Sequence, residues 1–398
     1  MKQENRFRMW HIPVLAVLIL ASLMILRNKE QRQIPFQVEE GAIFGTVYHM
    51  KYQYANSLQK EILQCLHSVD SSLSMFNKQS TVSKINTGED LHTDDMLEMV
   101  FQQATAISEA TGGAFDVTVA PLVNAWGFGF KHGQWPDSTA VDSLLQLVGW
   151  QKVSIRNHMV EKADPRIVLD FSAIAKGLGV DQVASLLRSY GIENFMIEIG
   201  GEIVSHGRNP KGEPWRIGIN KPEDDTQGAN SQLQDIIELT DCAIATSGNY
   251  RNYYEKDGKR VAHTIDPHSG YPVQHSILSS TVMAPTCAMA DGFATAFMVM
   301  GLDSAKAVRR SIRSCRLTSS YRRTAASTIS GARQTSANCS PTTNNYSHHK
   351  LIPGPATHGY QHQIPHPHSS APIARTERTG LGTPGRITRT GDGAHTIQ

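Results

Sequence analysis

The chain has 398 residues, of which 40% are hydrophobic, and a formal net charge of +2 at neutral pH. This apolar fraction is enough for one large core or two ordinary ones, which excludes a chain that is disordered throughout. The nearly balanced charge excludes a basic surface built for nucleic acid, so we expect any anionic ligand to be held by a local site.

An almost continuous apolar segment lies near the N-terminus, from Met9 to Leu26, with Arg6 and Arg8 before it. Its length approaches the roughly 20 residues that a membrane-spanning helix needs and exceeds the apolar region of most cleaved signals. We therefore predict an uncleaved membrane-anchor helix in residues 1–27 and a polar linker in residues 28–40. Basic residues flank the segment on both sides, so charge alone does not fix its orientation.

The segment that follows the linker is predicted to fold from about Gly41. Apolar residues recur at helical spacing from Tyr54 to Met75 and from Asp94 to Ala110, and these segments are predicted to be amphipathic helices. A further helix is predicted from Asp181 to Tyr190. Short extended segments predict strands at Phe195–Ile199, Trp215–Ile219 and Ile236–Leu239. The sequence therefore predicts an α+β domain in residues 41–307, with helices interspersed among mostly antiparallel strands.

The five cysteines of the chain are scattered, with no Cys-x-x-Cys pair. Neither a zinc site nor a disulfide scaffold is indicated, and we expect free or buried thiols.

The first of four motifs runs from Thr111 to Gly129 and begins where the second helix is predicted to end. Its paired glycines allow a ligand to approach the backbone, and Asp116 can accept a hydrogen bond from a sugar hydroxyl or a base N–H. The Trp126-Gly-Phe-Gly129 segment offers aromatic faces for stacking. The alternative is a helix end followed by a buried strand.

The second motif runs from Leu169 to Asp181 and passes from a strand through small residues into a helix. A helix N-terminus together with Lys176 predicts an anion site. The motif lacks the G-x-x-x-x-G-K-[ST] pattern of a P-loop, which argues against hydrolysis of a nucleoside triphosphate. The alternative is an ordinary helix start with a solvated lysine.

The third motif pairs the small-residue loop Ala245–Tyr250 with the segment Val261–Pro272. Asp266-Pro267 and the glycine and proline that follow predict a tight turn, which would fix His263 at the end of a short strand. We expect His263 to be catalytic or to contact a ligand. The alternative is a structural histidine.

The fourth motif places Asp291 and Thr295 four residues apart, on one face of an otherwise apolar helix. A buried carboxylate needs a partner, and Mg²⁺ would suit an oxygen site that leaves room for phosphate and water. The alternative is an acidic residue that interacts only with the helix dipole.

Beyond Val308 the sequence is rich in Arg, Ser, Thr, His, Pro and Gly and shows neither helical nor strand periodicity. This composition predicts a disordered, low-complexity tail in residues 308–398. Our hypothesis is that a frameshift near Ala307 to Arg310 has replaced the domain's last helix and strand.

Taken in this order, the four motifs resemble the ApbE family of FAD:protein FMN transferases, from about Gly41 to about Ala307. The resemblance implies a single α+β domain of the T-fold type that uses Mg²⁺ and moves FMN from FAD onto a threonine or serine hydroxyl of a partner protein, releasing AMP. It further implies an exported acceptor, such as a subunit of a sodium-pumping quinone reductase or a related electron-transfer complex. The implied location is the bacterial inner membrane, with the catalytic domain on the periplasmic side.

The resemblance also implies roles for individual residues. The residues expected to contact FAD are Phe76, Ala114, Phe115, Asp116, Asp170, Lys176, His263 and Ile265. The residues expected to bind the metal are Asp291, Thr295 and, through its backbone oxygen, Ala173. His263 is the candidate for the base that accepts the hydroxyl proton, and Asp170 remains the other candidate. Two other functions stay open, an FAD-binding protein that stores the cofactor without transfer and an FAD pyrophosphatase that uses water as nucleophile.

Overall fold

A computed structural model describes residues 17–19, 34–129, 135–220, 233–249, 253–256, 259–275, 277–311, 316–321 and 336–338. All of them lie within the compact unit Met1–His349. Apart from residues 17–19, the expected membrane anchor lies outside this described part. Within the described part, every helix is too short or too polar to cross a bilayer.

The described residues form an α+β fold built on antiparallel strands. The strands are β1 (Phe36–Ile43), β2 (Thr46–Gln53), β3 (Val153–Arg156), β4 (Met159–Lys162), β5 (Phe195–Ile199), β6 (Glu202–His206), β7 (Trp215–Asn220), β8 (Leu233–Thr240), β9 (Cys242–Gly248), β10 (Tyr253–Lys256), β11 (Lys259–Ala262), β12 (Ile277–Ala284), β13 (Arg316–Tyr321) and β14 (Ser336–Asn338). The helices are α1 (Gln59–Leu73), α2 (Thr81–Thr87), α3 (Asp95–Ala110), α4 (Ala120–Ala125), α5 (Ser138–Leu145), α6 (Ser172–Ser189), α7 (Cys287–Met300) and α8 (Leu302–Ser311).

The main sheet has seven strands in the order β1-β2-β5-β6-β9-β12-β13, and all of its neighbours are antiparallel. A smaller sheet has the order β14-β8-β7, in which β14 runs parallel to β8. The strands predicted at Phe195, Trp215 and Ile236 correspond to β5, β7 and β8. The mixed helix and strand architecture predicted from the sequence is therefore confirmed.

Alternation along β9 explains how the two faces of the main sheet are covered. Ala243 and Ala245 belong to the large core formed with α1, α3, α6 and α7. Cys242 and Ile244 point the other way and pack with apolar residues of β7 and β8. Because successive side chains of a strand face opposite sides, one strand contributes to both clusters.

Helices α6 and α7 cross closely at a glycine. A Cβ atom added to Gly177 would lie 2.4 Å from the carbonyl oxygen of Cys287, so only glycine fits without moving one helix. The helix predicted from Asp181 begins earlier, at Ser172, because the small residues of the second motif are already helical. The close crossing brings the second motif directly against the fourth.

The expected boundaries of the domain differ from the structure at three places. Strand β1 begins at Phe36, inside the expected linker, because Glu39 is buried and accepts hydrogen bonds from Tyr52 and Ser57. Helix α8 extends past residue 307. Arg316–Tyr321 forms an edge strand of the main sheet although we expected disorder there, since the open edge of β12 offers backbone partners to any extended segment.

The rest of the expected tail lies outside the described residues, except for β14. Cys242 is disulfide-bonded, so the expectation of free or buried thiols is wrong for this cysteine. Cys65 and Cys287 are free.

Candidate functional site

The turn that leads into α6 is fixed by hydrogen bonds from two other segments. The side-chain amide of Asn86 donates to the carbonyl of Leu169 and accepts from its N–H, both at 2.8 Å. The N–H of Asp170 donates to the carbonyl of Val117 at 2.7 Å, and one carboxylate oxygen of Asp170 accepts from the N–H of Ser172 at 2.8 Å. The first and second motifs are therefore adjacent, and Asp170 lies at the start of α6.

Lys176 lies between two buried carboxylates. Its Nζ atom is 3.5 Å from Oε1 of Glu202 and 3.7 Å from Oδ2 of Asp291. The side chains of Glu202 and Asp291 are 4% and 3% exposed, whereas that of Lys176 is 29% exposed. The ammonium group thus joins the second motif to the fourth, and the side chain that carries it is partly exposed.

Burial controls the protonation of this cluster. Loss of solvent raises the pKa of Glu202 to about 8, helped by the charge of Asp291 and opposed by Lys176. Burial likewise raises the pKa of Asp291, against the effects of Lys176 and the Gly177 N–H. Burial lowers the pKa of Lys176, but the two carboxylates outweigh burial and its net shift is upward. Burial therefore disfavours the charged forms of both acids, and a further cation beside them would offset that cost.

The expected metal-binding residues lie on the two crossing helices, with Asp291 and Thr295 four positions apart on α7 and Ala173 on α6, four positions before Gly177. Gly177 donates its N–H to Oδ2 of Asp291 at 3.1 Å. In an α-helix this N–H would ordinarily donate to the carbonyl of Ala173, so Asp291 competes for the donor and leaves the Ala173 oxygen more available. The Thr295 hydroxyl lies 3.0 Å from the hydroxyl of Ser247 on β9.

These donors fit a hard cation. The described residues contain no group of three or more His, Cys, Asp or Glu side chains placed to hold a metal. A cation here would depend on one carboxylate, a hydroxyl and a carbonyl, which suits Mg²⁺ completed by phosphate and water.

Both carboxylate oxygens of Asp116 accept hydrogen bonds from nearby residues of the protein. One of its oxygens accepts from the N–H and the hydroxyl of Thr118, at 2.8 and 2.6 Å, and the other accepts from the N–H of Trp150 at 2.9 Å. Burial raises its pKa although these hydrogen bonds oppose the shift. Ala114 and Phe115 are also buried. This segment is therefore buried and hydrogen-bonded within the protein, next to the turn that contains Asp170.

The third motif meets the first through its tight turn. His268 forms hydrogen bonds with the carbonyl of Gly112 at 2.8 Å and with the carboxylate of Asp266 at 3.1 Å. The hydroxyl of Thr264 donates to the side-chain oxygen of Asn249 at 2.6 Å and so ties the two halves of the motif together. The His263 ring lies 6.3 Å from the ring of Phe128.

The aromatic and apolar candidates lie in different environments. Ile265 and Trp126 are buried in one apolar cluster, and Trp126 donates its indole N–H to the carbonyl of Gly270 at 2.8 Å. The Trp126 ring, which we expected to stack on a ligand, therefore packs inside the protein. Phe76 is 78% exposed, and its ring is open to solvent.

The four motifs thus form a closed ring of contacts. Asp170 connects the second to the first, His268 connects the third to the first, Lys176 connects the second to the fourth, and Thr295 connects the fourth to the third. These contacts join residues up to 156 positions apart along the chain. The region where the four motifs pack together is therefore the candidate functional site.

Sequence reasoning missed Glu202 and Ser247. Glu202 follows the Gly200-Gly201 turn, whose two residues have φ values of +62° and +100°. It shares a face of β6 with the buried residue Val204. An acidic residue at an inward strand position needs a partner, and this signal could have revealed Glu202.

Comparisons with known proteins agree on one family. The sequence model of the ApbE family matches residues 44–316. The FAD:protein FMN transferase of Vibrio cholerae serotype O1 is 41% identical over 302 residues, covering 73% of this chain and 88% of that protein. The FAD:protein FMN transferase of Escherichia coli K12 is 33% identical over 315 residues, covering 74% and 89%.

Solved structures show the same likeness. The flavin transferase ApbE from Vibrio cholerae matches with a TM-score of 0.64 at 37% identity, covering 72% of this chain and 98% of that structure. The apo form of the flavinyl transferase ApbE from Pseudomonas stutzeri matches with a TM-score of 0.65 at 31% identity, covering 73% and 96%.

Proposed function

Since the chain belongs to the ApbE family, we propose that it transfers FMN from FAD onto a threonine or serine hydroxyl of a partner protein and releases AMP. The observation that carries this proposal is the Lys176 ammonium, which lies between two buried carboxylates where the second and fourth motifs meet. A lysine ammonium near the N-terminus of a helix is suited to bind a diphosphate, because both carry positive charge toward the phosphate oxygens.

The reaction requires one bond to form and one to break. The acceptor hydroxyl oxygen bonds to the flavin-side phosphorus of FAD, and the bond from that phosphorus to the bridging oxygen breaks. The bridging oxygen leaves with AMP and carries the developing negative charge. Lys176, placed at the N-terminal part of α6, would orient the diphosphate and stabilise this charge in a largely buried site.

The residues that would hold Mg²⁺ are Asp291, Thr295 and Ala173, the last through its carbonyl oxygen. Bound Mg²⁺ would supply positive charge for the phosphates as the bridging bond breaks. Burial disfavours the charged form of Asp291, and a cation beside its carboxylate would offset that cost.

Two residues are candidates for the base that takes the hydroxyl proton. His263 is held beside the fixed turn of the third motif, and Asp170 uses one oxygen to accept from Ser172. His263→Asn and Asp170→Asn separate the two roles. The variant of the base should retain FAD binding, measured by quenching of flavin fluorescence, and lose about 100-fold or more in transfer rate. The variant of a residue that only binds FAD should lose affinity instead.

The location and acceptor also belong to the proposal. The apolar segment from Met9 to Leu26 supports an uncleaved anchor in the bacterial inner membrane, with the catalytic domain on the periplasmic side. The acceptor would then be an exported protein, such as a flavinylated subunit of a sodium-pumping quinone reductase or a related complex. Added protease should degrade the domain in spheroplasts, and protection in intact spheroplasts would overturn this location.

One incubation distinguishes the three functions. The full chain is mixed with FAD, Mg²⁺ and an acceptor peptide that contains threonine, and the products are separated by chromatography. Transfer gives a fluorescent flavin-labelled peptide and AMP, hydrolysis gives free FMN and AMP, and storage leaves FAD intact. An unlabelled peptide together with free FMN would replace the transferase proposal with the pyrophosphatase.

A further inference from the structure

Glu202 is a buried carboxylate that the proposed reaction does not yet use. Glu202 is 3% exposed, and its Oε2 atom has no hydrogen-bond partner among the described residues. Its other oxygen lies 3.5 Å from Nζ of Lys176. Burying a carboxylate with an unsatisfied oxygen destabilises the folded protein. The presence of Glu202 at this position therefore points to a role in function.

The geometry around Lys176 indicates that reason. Nζ lies 3.5 Å from Glu202 and 3.7 Å from Asp291, so the ammonium is shared almost evenly between them. Both distances exceed the 2.7–3.2 Å of a good direct hydrogen bond. Without Glu202, Lys176 would have Asp291 as its only acidic partner in this cluster, and a full ion pair would form there.

We propose that Glu202 is a positioning residue, which holds the Lys176 ammonium away from Asp291 so that the Asp291 carboxylate stays available to a divalent cation. This inference rests on the proposed function, because it assumes a cation at Asp291. It assigns Glu202 no contact with substrate. The residue acts through Lys176 alone.

Charge balance supports the assignment. When Glu202 is ionised, the Lys176 ammonium is attracted to two carboxylates and is not drawn fully onto Asp291. Neutralising Glu202 frees Lys176 to move toward Asp291, where its positive charge opposes cation binding. Removing the lysine charge has the opposite effect, because the competing cation is gone.

Binding of Mn²⁺ alone to the full chain, followed by loss of the free-ion EPR signal, tests this without FAD or turnover. Glu202→Gln keeps the side-chain volume and should weaken Mn²⁺ binding about tenfold or more, as do changes around other metal ligands. Lys176→Met should bind Mn²⁺ at least as tightly as the unmodified chain. In the Lys176→Met background, Glu202→Gln should change the affinity by less than about twofold, because no ammonium remains to be held.

Two further variants separate positioning from general effects. Glu198→Gln neutralises a carboxylate on the neighbouring strand, where Glu198 pairs with His49, and should leave Mn²⁺ affinity unchanged. Glu202→Asp keeps the charge and should restore most of the affinity. Thermal melts without metal check that each variant is folded.

The outcomes distinguish this inference from the proposed function. Equal Mn²⁺ affinity of Glu202→Gln and the unmodified chain would overturn the inference alone, provided the unmodified chain binds Mn²⁺ and transfers FMN. An unmodified chain that does neither would overturn both. If Glu202→Gln failed to fold, weaker Mn²⁺ binding by Lys176→Met than by the unmodified chain would still contradict the proposal.

Discussion

The surroundings of Asp291 indicate which of its two expected roles, metal ligand or partner of the helix dipole, the structure favours. It lies on an alanine-rich helix, almost fully buried, with Lys176 and the Gly177 N–H on the side of one oxygen. A residue that only interacts with the helix dipole would lie near solvent in the first turn. The buried position next to a competing lysine supports the metal-binding interpretation instead.

Asp291→Asn should therefore impair metal use more than folding. The substitution removes one negative charge but keeps nearly the same volume. We expect the Mg²⁺ concentration for half-maximal transfer to rise about tenfold or more, or transfer to be lost. The free energy of unfolding without metal should change much less than metal affinity, because burial disfavours the charge that the substitution removes and Lys176 keeps Glu202 as a partner. Transfer assays across a Mg²⁺ titration, run beside metal-free melts, measure both quantities.

Asp303→Asn is the matched control, because the Asp303 side chain is fully exposed on the following helix. Its Mg²⁺ curve should coincide with that of the unmodified chain. An unshifted curve for folded Asp291→Asn would remove Asp291 from the metal site.

At the scale of elements, the carboxylate of Asp181 on α6 is hydrogen-bonded to the start of α7. Asp181 on α6 accepts from the N–H groups of Cys287 and Ala288, at 2.8 and 2.9 Å, and so satisfies two donors at the start of α7. Burial raises its pKa to about 6, against the effect of these two hydrogen bonds. The orientation of α7, and with it the position of Asp291, depends on this contact.

The raised pKa predicts a pH dependence of stability with a definite sign. Because folded Asp181 binds its proton more tightly than the unfolded chain does, its stabilising contribution is full below about pH 4 and is lost as pH rises through about 6. We compare free energies of unfolding of the unmodified chain and Asp181→Asn by urea denaturation from pH 4 to 8. The unmodified value minus the mutant value should fall between pH 4 and 7 and then level off.

The buried residues Glu202, Asp291 and Asp116 titrate in both proteins, so their own contributions largely cancel in this difference, and the charge of Asp291 only adds to the upward shift of the Asp181 pKa. A difference that rises with pH would show that the two amide hydrogen bonds outweigh burial and would contradict the prediction.

Much of this arrangement could be predicted from local sequence patterns. The helix from Asp94 and the strand at Phe195 follow from periodicity, and the motifs follow from glycines beside carboxylates and hydroxyls. An acidic residue at an inward strand position could have marked Glu202, but the partners of Glu202 and Asp181 could not be assigned in this way. Their roles depend on contacts with Lys176 and with α7, and pairings between distant segments leave no spacing in the sequence.

At the scale of the whole molecule, motifs that are far apart in the sequence lie close together in the fold. Strands β9 and β12 are adjacent in the main sheet, and β12 leads directly into α7. The sheet therefore supports the helix that carries Asp291 and Thr295 and places Ser247 beside Thr295. Composition predicted that the domain ends at 307, yet backbone pairing extends the sheet to β13, which covers the outer edge of β12.

Truncation tests whether β13 is part of the folded domain. Strand β12 is buried along most of its length, and removing β13 would leave its backbone groups unpaired at an apolar edge. A chain that ends after Ser311 should therefore lose several kcal/mol, a large share of a typical domain's stability, and melt at least about 5 °C lower than a chain that ends after Tyr321. The chain ending after Tyr321 should melt close to the full chain, because residues 322–398 have the composition of a disordered tail and only the short strand β14 is lost. All three are measured by calorimetry with a thiol reductant present, so that the disulfide of Cys242 does not contribute to the differences.

Equal melting of the two shortened chains would show that β13 adds nothing to the sheet and that the domain ends with α8. A large loss after Tyr321 would instead show that the tail stabilises the fold, and it would contradict the interpretation of residues 322–398 as disordered.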